Sequence, residues 1–137
     1  MRTNKKLIFI LSIVFISSYF ISGCGKNNDE IGVGPVKNIS IGRLDKSLSE
    51  TGKNLFETKC FTCHRIEAVL MGPPLKGITK KRKPEWIMNM ILNPEQMIKE
   101  NKYAKELYSQ YRTQMTYQNL SEDDARAILE YFRLIDN

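Results

Sequence analysis

The short motif Cys60-Phe-Thr-Cys63-His64 constrains this chain more than any other feature of its sequence. It holds two of the three cysteines and the only histidine among 137 residues. Side chains three positions apart lie on the same side of a helical turn. Two thiols and an imidazole in this arrangement can therefore face one bound group, and the fold has to be built around that group.

Three kinds of site use two cysteines at this spacing. A thioredoxin-like redox motif requires a strand–helix–strand setting, and the sequence contains no convincing alternating strand. A structural zinc ion requires four ligands, whereas the motif offers three. Covalent haem attachment uses every group, since Cys60 and Cys63 form thioethers with the haem and His64 binds its iron. The motif therefore predicts one haem c as the cofactor.

Residues 1–23 are predicted to be a lipoprotein signal peptide. Basic residues precede a charge-free apolar run over residues 7–21, which has signal-peptide length and is short for a bilayer span of about 20 residues. The run ends in Ile21-Ser-Gly-Cys24, which resembles the bacterial lipobox, whose cysteine is lipidated and becomes the new N-terminus. An uncleaved anchor helix is the alternative. In both cases we expect a membrane-attached domain that faces the periplasm or the cell exterior.

The charge of the remaining chain gives no indication of nucleic-acid binding. Residues 1–23 contain three of the 21 basic residues and none of the 15 acidic ones, so their removal leaves an excess of three positive charges. Nucleic-acid-binding domains are usually far more basic.

Residues 24–48 are rich in glycine, asparagine and charge and show no sustained period. This composition predicts a flexible tether. The alternative is an extension packed on the domain through Val36, Ile39, Ile41 and Leu44.

Residues 49–137 are predicted to form one small all-α domain, because the chain is long enough for a single core. Four helices are expected: one from Ser49 or Glu50 into Cys60, one from Pro84 to Asn93, one through Tyr103, Leu107 and Tyr111, and one that opens with a capping box of Ser121 and Asp124.

From about Ser49 to Ile135 the chain resembles the monohaem class I cytochromes c. The resemblance rests on GKNLFETKC leading into the haem motif, the loop GPPLKG, a middle helix with Trp86, a late methionine and the final helix LSEDDARAILEYF. It implies a small cytochrome c fold wrapped around one covalent haem, with the first and last helices crossing. In that arrangement Gly52 and Phe56 pack against Tyr131 or Phe132.

The resemblance also implies roles around the haem. Met115, in the polar segment TQMTYQN, matches the position of the family's distal iron ligand, although Thr116 stands where the family usually has proline. The other implied roles are a proton acceptor for the imidazole at the carbonyl of Pro73, packing on the porphyrin by Leu75, and a propionate contact or a core position for Trp86.

Ligation by His64 and Met115 fills both axial positions of the iron, so it leaves no site for a substrate. We therefore predict an electron carrier and not an enzyme, shuttling single electrons between respiratory complexes or to an extracytoplasmic reductase or oxidase. Without Met115 ligation, the open iron suits a gas sensor or a peroxidase. A haem subunit of a larger complex is a third option.

A basic run follows the GPPLKG loop and consists of Lys76, Lys80, Lys81, Arg82 and Lys83. A solvated loop is the ordinary interpretation of such a run. The functional interpretation is that these residues steer an acidic redox partner toward the haem edge.

Overall fold

The computed structural model describes residues 29–137. The predicted signal peptide and Cys24 lie outside the described residues. Within residues 29–137 there is no β-strand, and no helix has the length and apolar character needed to cross a membrane. The described helices are α1 (Lys46–Leu55), α2 (Ile78–Lys81), α3 (Pro84–Leu92), α4 (Pro94–Glu100), α5 (Lys102–Tyr111) and α6 (Glu122–Asp136). The all-α fold class is confirmed.

Helix α1 begins at Lys46, a few residues before the predicted start. The reason is Asp45, whose carboxylate accepts a hydrogen bond from the backbone N–H of Leu48 at 3.0 Å and caps the helix. At its other end α1 continues as a wider, π-type turn over Phe56–Cys60, in which the N–H of Phe61 donates to the carbonyl of Phe56 at 3.0 Å.

Two of the described helices, α3 and α4, begin with a proline. Pro84 opens α3, as predicted, and α3 ends at Leu92. The sequence predicted that Asn93-Pro94 would stop the helix, but Pro94 also opens α4. A proline at the first position of a helix loses no hydrogen bond and already has a helical φ. Helices α2 and α4 were not predicted, because both are too short to show a clear period.

Helices α1 and α6 make the closest contact of the core. A Cβ atom on Gly52 would lie 1.9 Å from the carbonyl oxygen of Ala127, so the two backbones touch there. Next to this point lies Phe56, which is 1% exposed. The centroid of its ring is 5.7 Å from the ring centroid of Tyr131 and 5.8 Å from that of Phe132. The packing that the family resemblance implied is therefore present for Phe56, whereas Gly52 meets the backbone of Ala127.

Residues 29–45, which we call the N-terminal strap, pack against the helices. The side chain of Asn89, itself fully buried, accepts from the N–H of Val36 at 3.0 Å and donates to the carbonyls of Ile31 and Val36 at 2.8 Å. Val36 is 5% exposed. From residue 29 onward the predicted flexible tether is thus wrong and the packed extension is correct, because one buried amide satisfies several backbone groups of the strap.

The strap ends at a buried carboxylate. Glu130, whose side chain is fully buried, accepts from the backbone N–H of Asp45 at 2.8 Å and pairs with Arg126 and, at 2.7 Å, with Arg133. Arg133 also donates to the carbonyl of Gly42 at 2.8 Å. Burial alone would raise the pKa of Glu130, but the hydrogen bonds from Arg126, Asp45 and Arg133 together hold this pKa below its ordinary value.

Replacement of Gly52 by alanine tests the contact between α1 and α6. The new methyl group meets the backbone of Ala127, so we expect G52A to lower the free energy of unfolding of the haem-loaded protein by at least about 2 kcal/mol. Urea unfolding followed by circular dichroism measures the change. The matched control is G42A, since nothing lies within 4 Å of a Cβ atom at Gly42; equal effects of the two variants would contradict the contact.

The lowered pKa of Glu130 predicts how stability depends on pH. A carboxyl whose pKa is lower when folded stabilises the protein fully above its unfolded pKa, and this stabilisation is lost as pH falls through the folded pKa. We expect E130Q to cost about 2 kcal/mol at pH 7, because the amide removes the negative charge and one of the two acceptor oxygens that face Arg126 and Arg133. The difference from the natural protein should shrink toward pH 3 in urea titrations, and a constant difference would refute the assignment.

Candidate functional site

A cavity lies on the side of α1 and α6 that faces α3 and α5. The space between its lining residues is about 1140 Å³, which includes volume that is open to solvent. Its lining is mostly apolar and includes Phe56, Leu75, Ile87, Ile91 and Phe132. A flat, largely apolar group fits such a cavity.

Both cysteines and the histidine of the motif line this cavity. Helix α1 directs the chain into it, and the turn over Phe56–Cys60 is followed by a bend in which the N–H groups of Cys63 and His64 donate to the carbonyl of Cys60 at 3.1 and 2.9 Å. This bend places the two sulfur atoms and the imidazole at one cavity wall. Wider turns of this type often occur at functional sites because they redirect side chains.

The thiol of Cys60 is uncharged at neutral pH. Burial, with a smaller contribution from the neighbouring Cys63, raises the pKa of Cys60 from 9.0 to about 11. A neutral thiol suits contact with an apolar group.

The imidazole of His64 is oriented by the loop that follows it. Its Nδ1 atom lies 3.2 Å from the carbonyl oxygen of Pro73. A carbonyl can only accept, so Nδ1 carries the proton and Nε2 remains free to bind a metal. Burial lowers the pKa of His64 below its ordinary value, against the smaller opposite effect of the bond to Pro73. The ring is thus neutral, the form that ligates a metal.

Gly72 allows the loop to pass close to this imidazole. A Cβ atom on Gly72 would lie 2.4 Å from Cε1 of His64 and 2.8 Å from its Nδ1. The N–H of Gly72 donates to the carbonyl of Cys63 at 3.0 Å, which ties the loop to the motif. In the sequence, Gly72 is recognisable only as part of the GPPLKG loop. Its packing against the imidazole depends on the fold and could not be predicted.

Met115 lines the same cavity as the motif. It is half-buried and lies in the segment 113–119, which connects α5 to α6 without regular structure. Backbone–backbone hydrogen bonds to the other described residues are absent from this segment. Arg112, directly before the segment, and Asn119, its last residue, have positive φ values of 56° and 54°. The segment is therefore placed by its ends and by the side chains that face the cavity.

The other methionines of the described chain occupy different positions. Met97 is fully buried and Met88 is 3% exposed, as expected for core residues. Met71 is 48% exposed, and its sulfur lies 3.8 Å from that of Cys63, on the histidine side of the cavity. Met90 lines the cavity from α3. Three of the described methionines thus line the cavity, and ligation of the iron by Met115 stays a prediction.

Trp86 lies in the core, which is one of the two roles that the resemblance left open for it. The indole N–H donates to the side-chain oxygen of Asn101 at 3.0 Å, and Trp86 is 3% exposed. The N–H is thus already used, while the ring lines the cavity together with Leu75. Tyr108, Tyr111 and Gln118 also line the cavity, and the sequence analysis missed them because their spacing predicts only an ordinary helix face or loop.

No residue of the basic run lines the cavity, although the guanidinium of Arg82 lies 5.2 Å from the ring centroid of Trp86, which does. Lys59 is the cation among the described lining residues. Several members of the run have contacts within the domain. Lys76 donates to the carbonyl of Ile135 at 2.5 Å, and Lys83 pairs with Glu30 at 2.5 Å. Partner docking through this run stays a prediction.

Comparison with known proteins agrees with this geometry. The family description "Cytochrome c" matches residues 49–135. The chain belongs to the cytochrome c family. More closely, it is a monohaem class I cytochrome c, and this family binds haem c covalently. A comparison with curated proteins gave no match.

Three solved structures of cytochrome c are similar over most of the chain. A cytochrome c from Rhodothermus marinus is 43% identical, with a TM-score of 0.77, over 80% of this chain and 96% of that one. An engineered form of that protein, Rma TDE, is 42% identical with a TM-score of 0.76 and the same coverage. A third structure, with 41% identity and a TM-score of 0.73, is this engineered form bound to a carbene intermediate.

The residues at the cavity fit haem c. Two thiols and a neutral imidazole share one wall, Nδ1 of His64 is already bonded, and the remaining lining is mostly apolar. We expect Cys60 and Cys63 to carry the thioether bonds and His64 to bind the iron, as this family does.

Replacement of Gly72 by alanine tests how the loop holds the imidazole. The added methyl group overlaps the His64 ring, so we expect G72A to displace the ring and weaken its bond to Pro73. Imidazole basicity depends on that bond. The reduction potential of the haem-loaded protein should therefore shift in G72A, as measured by redox titration, while G42A should leave it unchanged. An unchanged potential in both variants would contradict this role.

Proposed function

We propose that this cytochrome c is a membrane-anchored carrier of single electrons that acts outside the cytoplasmic membrane. Family membership indicates electron transfer. The observation that supports this most is that one cavity is lined by Cys60, Cys63, His64 and Met115. Haem c, when bound there, supplies an iron that gains and loses one electron.

The side chains of the cavity make this exchange reversible. Bonds from His64 and Met115 to the iron would leave no open site for a substrate. A thioether is a soft neutral ligand, and the apolar lining disfavours additional positive charge, so both favour the reduced state. The covalent attachment through Cys60 and Cys63 keeps the cofactor in place through repeated cycles.

Partners are expected to approach the mouth of the cavity near Cys63. Four large apolar side chains are exposed around the motif and the following loop: Phe61 at 45%, Val69 at 60%, Leu70 at 45% and Met71 at 48%. Transient redox complexes bury little surface, so four exposed apolar side chains are sufficient for such a contact. The partners we propose are respiratory complexes or an extracytoplasmic reductase or oxidase.

The anchor is proposed to be a lipid on Cys24. The support is the sequence of residues 7–24. Attachment to the membrane surface would raise the effective concentration of membrane-bound partners.

Carbon monoxide binding tests the electron-carrier function. With Met115 on the iron, we expect the absorption spectrum of the reduced, haem-loaded protein to remain unchanged when carbon monoxide is added. M115A should bind carbon monoxide readily, whereas M71L, at the histidine side of the cavity, should behave as the natural protein does. Ready binding by the natural protein would instead favour a gas sensor or a peroxidase.

Replacement of Cys24 tests the anchor. If this residue carries the lipid, C24S should move the haem protein from the membrane fraction to the soluble fraction or block its processing, with no change in the absorption spectrum. The measurement is cell fractionation with the mass of the intact protein. A natural protein that has the mass of the full chain with haem and without lipid would favour the uncleaved anchor helix.

A further inference from the structure

The strap begins beside the basic run. The side chain of Asn101 donates to the carbonyl of Asp29 at 2.9 Å, and the carboxylate of Asp29 accepts from the N–H of Lys102 at 3.0 Å. Glu30 pairs with Lys83 at 2.5 Å. These contacts fix the first described residues between the end of the basic run and the start of α5.

The same contacts bring basic side chains from two elements to one surface. Lys81, Lys83 and Lys102 are exposed. The guanidinium of Arg82 lies 3.9 Å from the ring centroid of Tyr103, which follows Lys102 in α5. We call Lys81, Arg82, Lys83 and Lys102 the basic surface. It remains net positive when Asp29 and Glu30 are counted with it.

The packed strap leaves little chain between this surface and the anchor. Five residues from Cys24 to Asp29 span at most about 18 Å when fully extended. A domain of about 100 residues has a radius of gyration of about 13 Å, so the connection is shorter than the domain is wide. A free tether over residues 24–48 would let the domain rotate in any direction, but this short connection does not.

We propose that the basic surface lies against the anionic lipid headgroups of the membrane that carries the anchor. The inference rests on the proposed anchoring at residue 24. Basic side chains are attracted to an anionic lipid surface over about one Debye length, roughly 8–10 Å. The connection of at most about 18 Å keeps the surface within about two such lengths of the membrane, where this attraction still acts. None of the four residues lines the cavity, so the lining residues that face solvent remain available to partners.

Lysine labelling of the full-length, haem-loaded protein tests the orientation. The protein is placed in vesicles of phosphatidylcholine with phosphatidylglycerol, or in detergent, and treated with a water-soluble acetylating reagent. Mass spectrometry then gives the rate for each lysine. We expect Lys81 and Lys102 to react several-fold more slowly in these vesicles than in detergent. Lys46, at the start of α1, serves as the internal reference, and equal protection of all three lysines would overturn the proposal.

Charge reversal separates attraction to lipid from a purely mechanical effect. In K81E/K102E we expect Lys83 to lose its protection in vesicles containing phosphatidylglycerol. The matched control is R43E/K46E, which makes the same change in charge at the far end of the strap and should keep Lys83 protected. Loss of protection in both variants would overturn the role of the basic surface.

A protein partner on this surface would give a different result. In that case K81E/K102E would slow electron exchange with the detergent-solubilised membrane partner and leave lysine labelling in vesicles unchanged, which would overturn the proposal. Recovery of the natural protein in the soluble fraction would overturn both the anchoring and this inference. It would leave the electron-carrier function intact, because carbon monoxide binding tests that separately.

Discussion

The backbone contact between α1 and α6 at Gly52 and Ala127 is the constraint on which the rest of this structure depends. It brings the two helices close enough for Phe56 to reach Tyr131 and Phe132. Because α1 runs into the turn that carries Cys60, the same contact also sets where the haem motif enters the cavity. A single residue without a side chain thus links the core of the protein to its cofactor.

The strap depends on this pair of helices in turn. Glu130 of α6 holds its end through Asp45, and Asn89 of α3 holds its middle through Ile31 and Val36. Asp45 serves twice, since its N–H donates to Glu130 while its carboxylate caps α1. Asp45 therefore joins the strap to the first helix. Because the strap is packed on the domain, the connection from residue 29 to any anchor is short.

The sequence predicted those parts of the protein whose signals are local. The capping box of Ser121 and Asp124 and the helix start at Pro84 depend on neighbouring residues, and the structure confirms both. The haem motif is local too, and its interpretation agrees with membership of the cytochrome c family. The strap failed as a prediction because its partners are far away in sequence: Asn89 and Glu130 look like ordinary helix residues until the fold places them. The role of Trp86 also depends on a residue that is not its neighbour in sequence. Its N–H donates to Asn101, and the sequence alone does not show that this donor is already used. The residue pattern shows that residues 29–45 have no helical or strand period. This pattern does not distinguish a free segment from one that is stabilised by side chains distant in sequence.

The segment 113–119 has a consequence for how the protein matures. It makes no backbone–backbone hydrogen bond to the other described residues. Its conformation therefore depends mainly on the contacts that its side chains make at the cavity. Ligation of iron by Met115 would then close the distal side of the molecule only after haem has been attached. A chain that has not received haem would therefore keep an accessible stretch between α5 and α6.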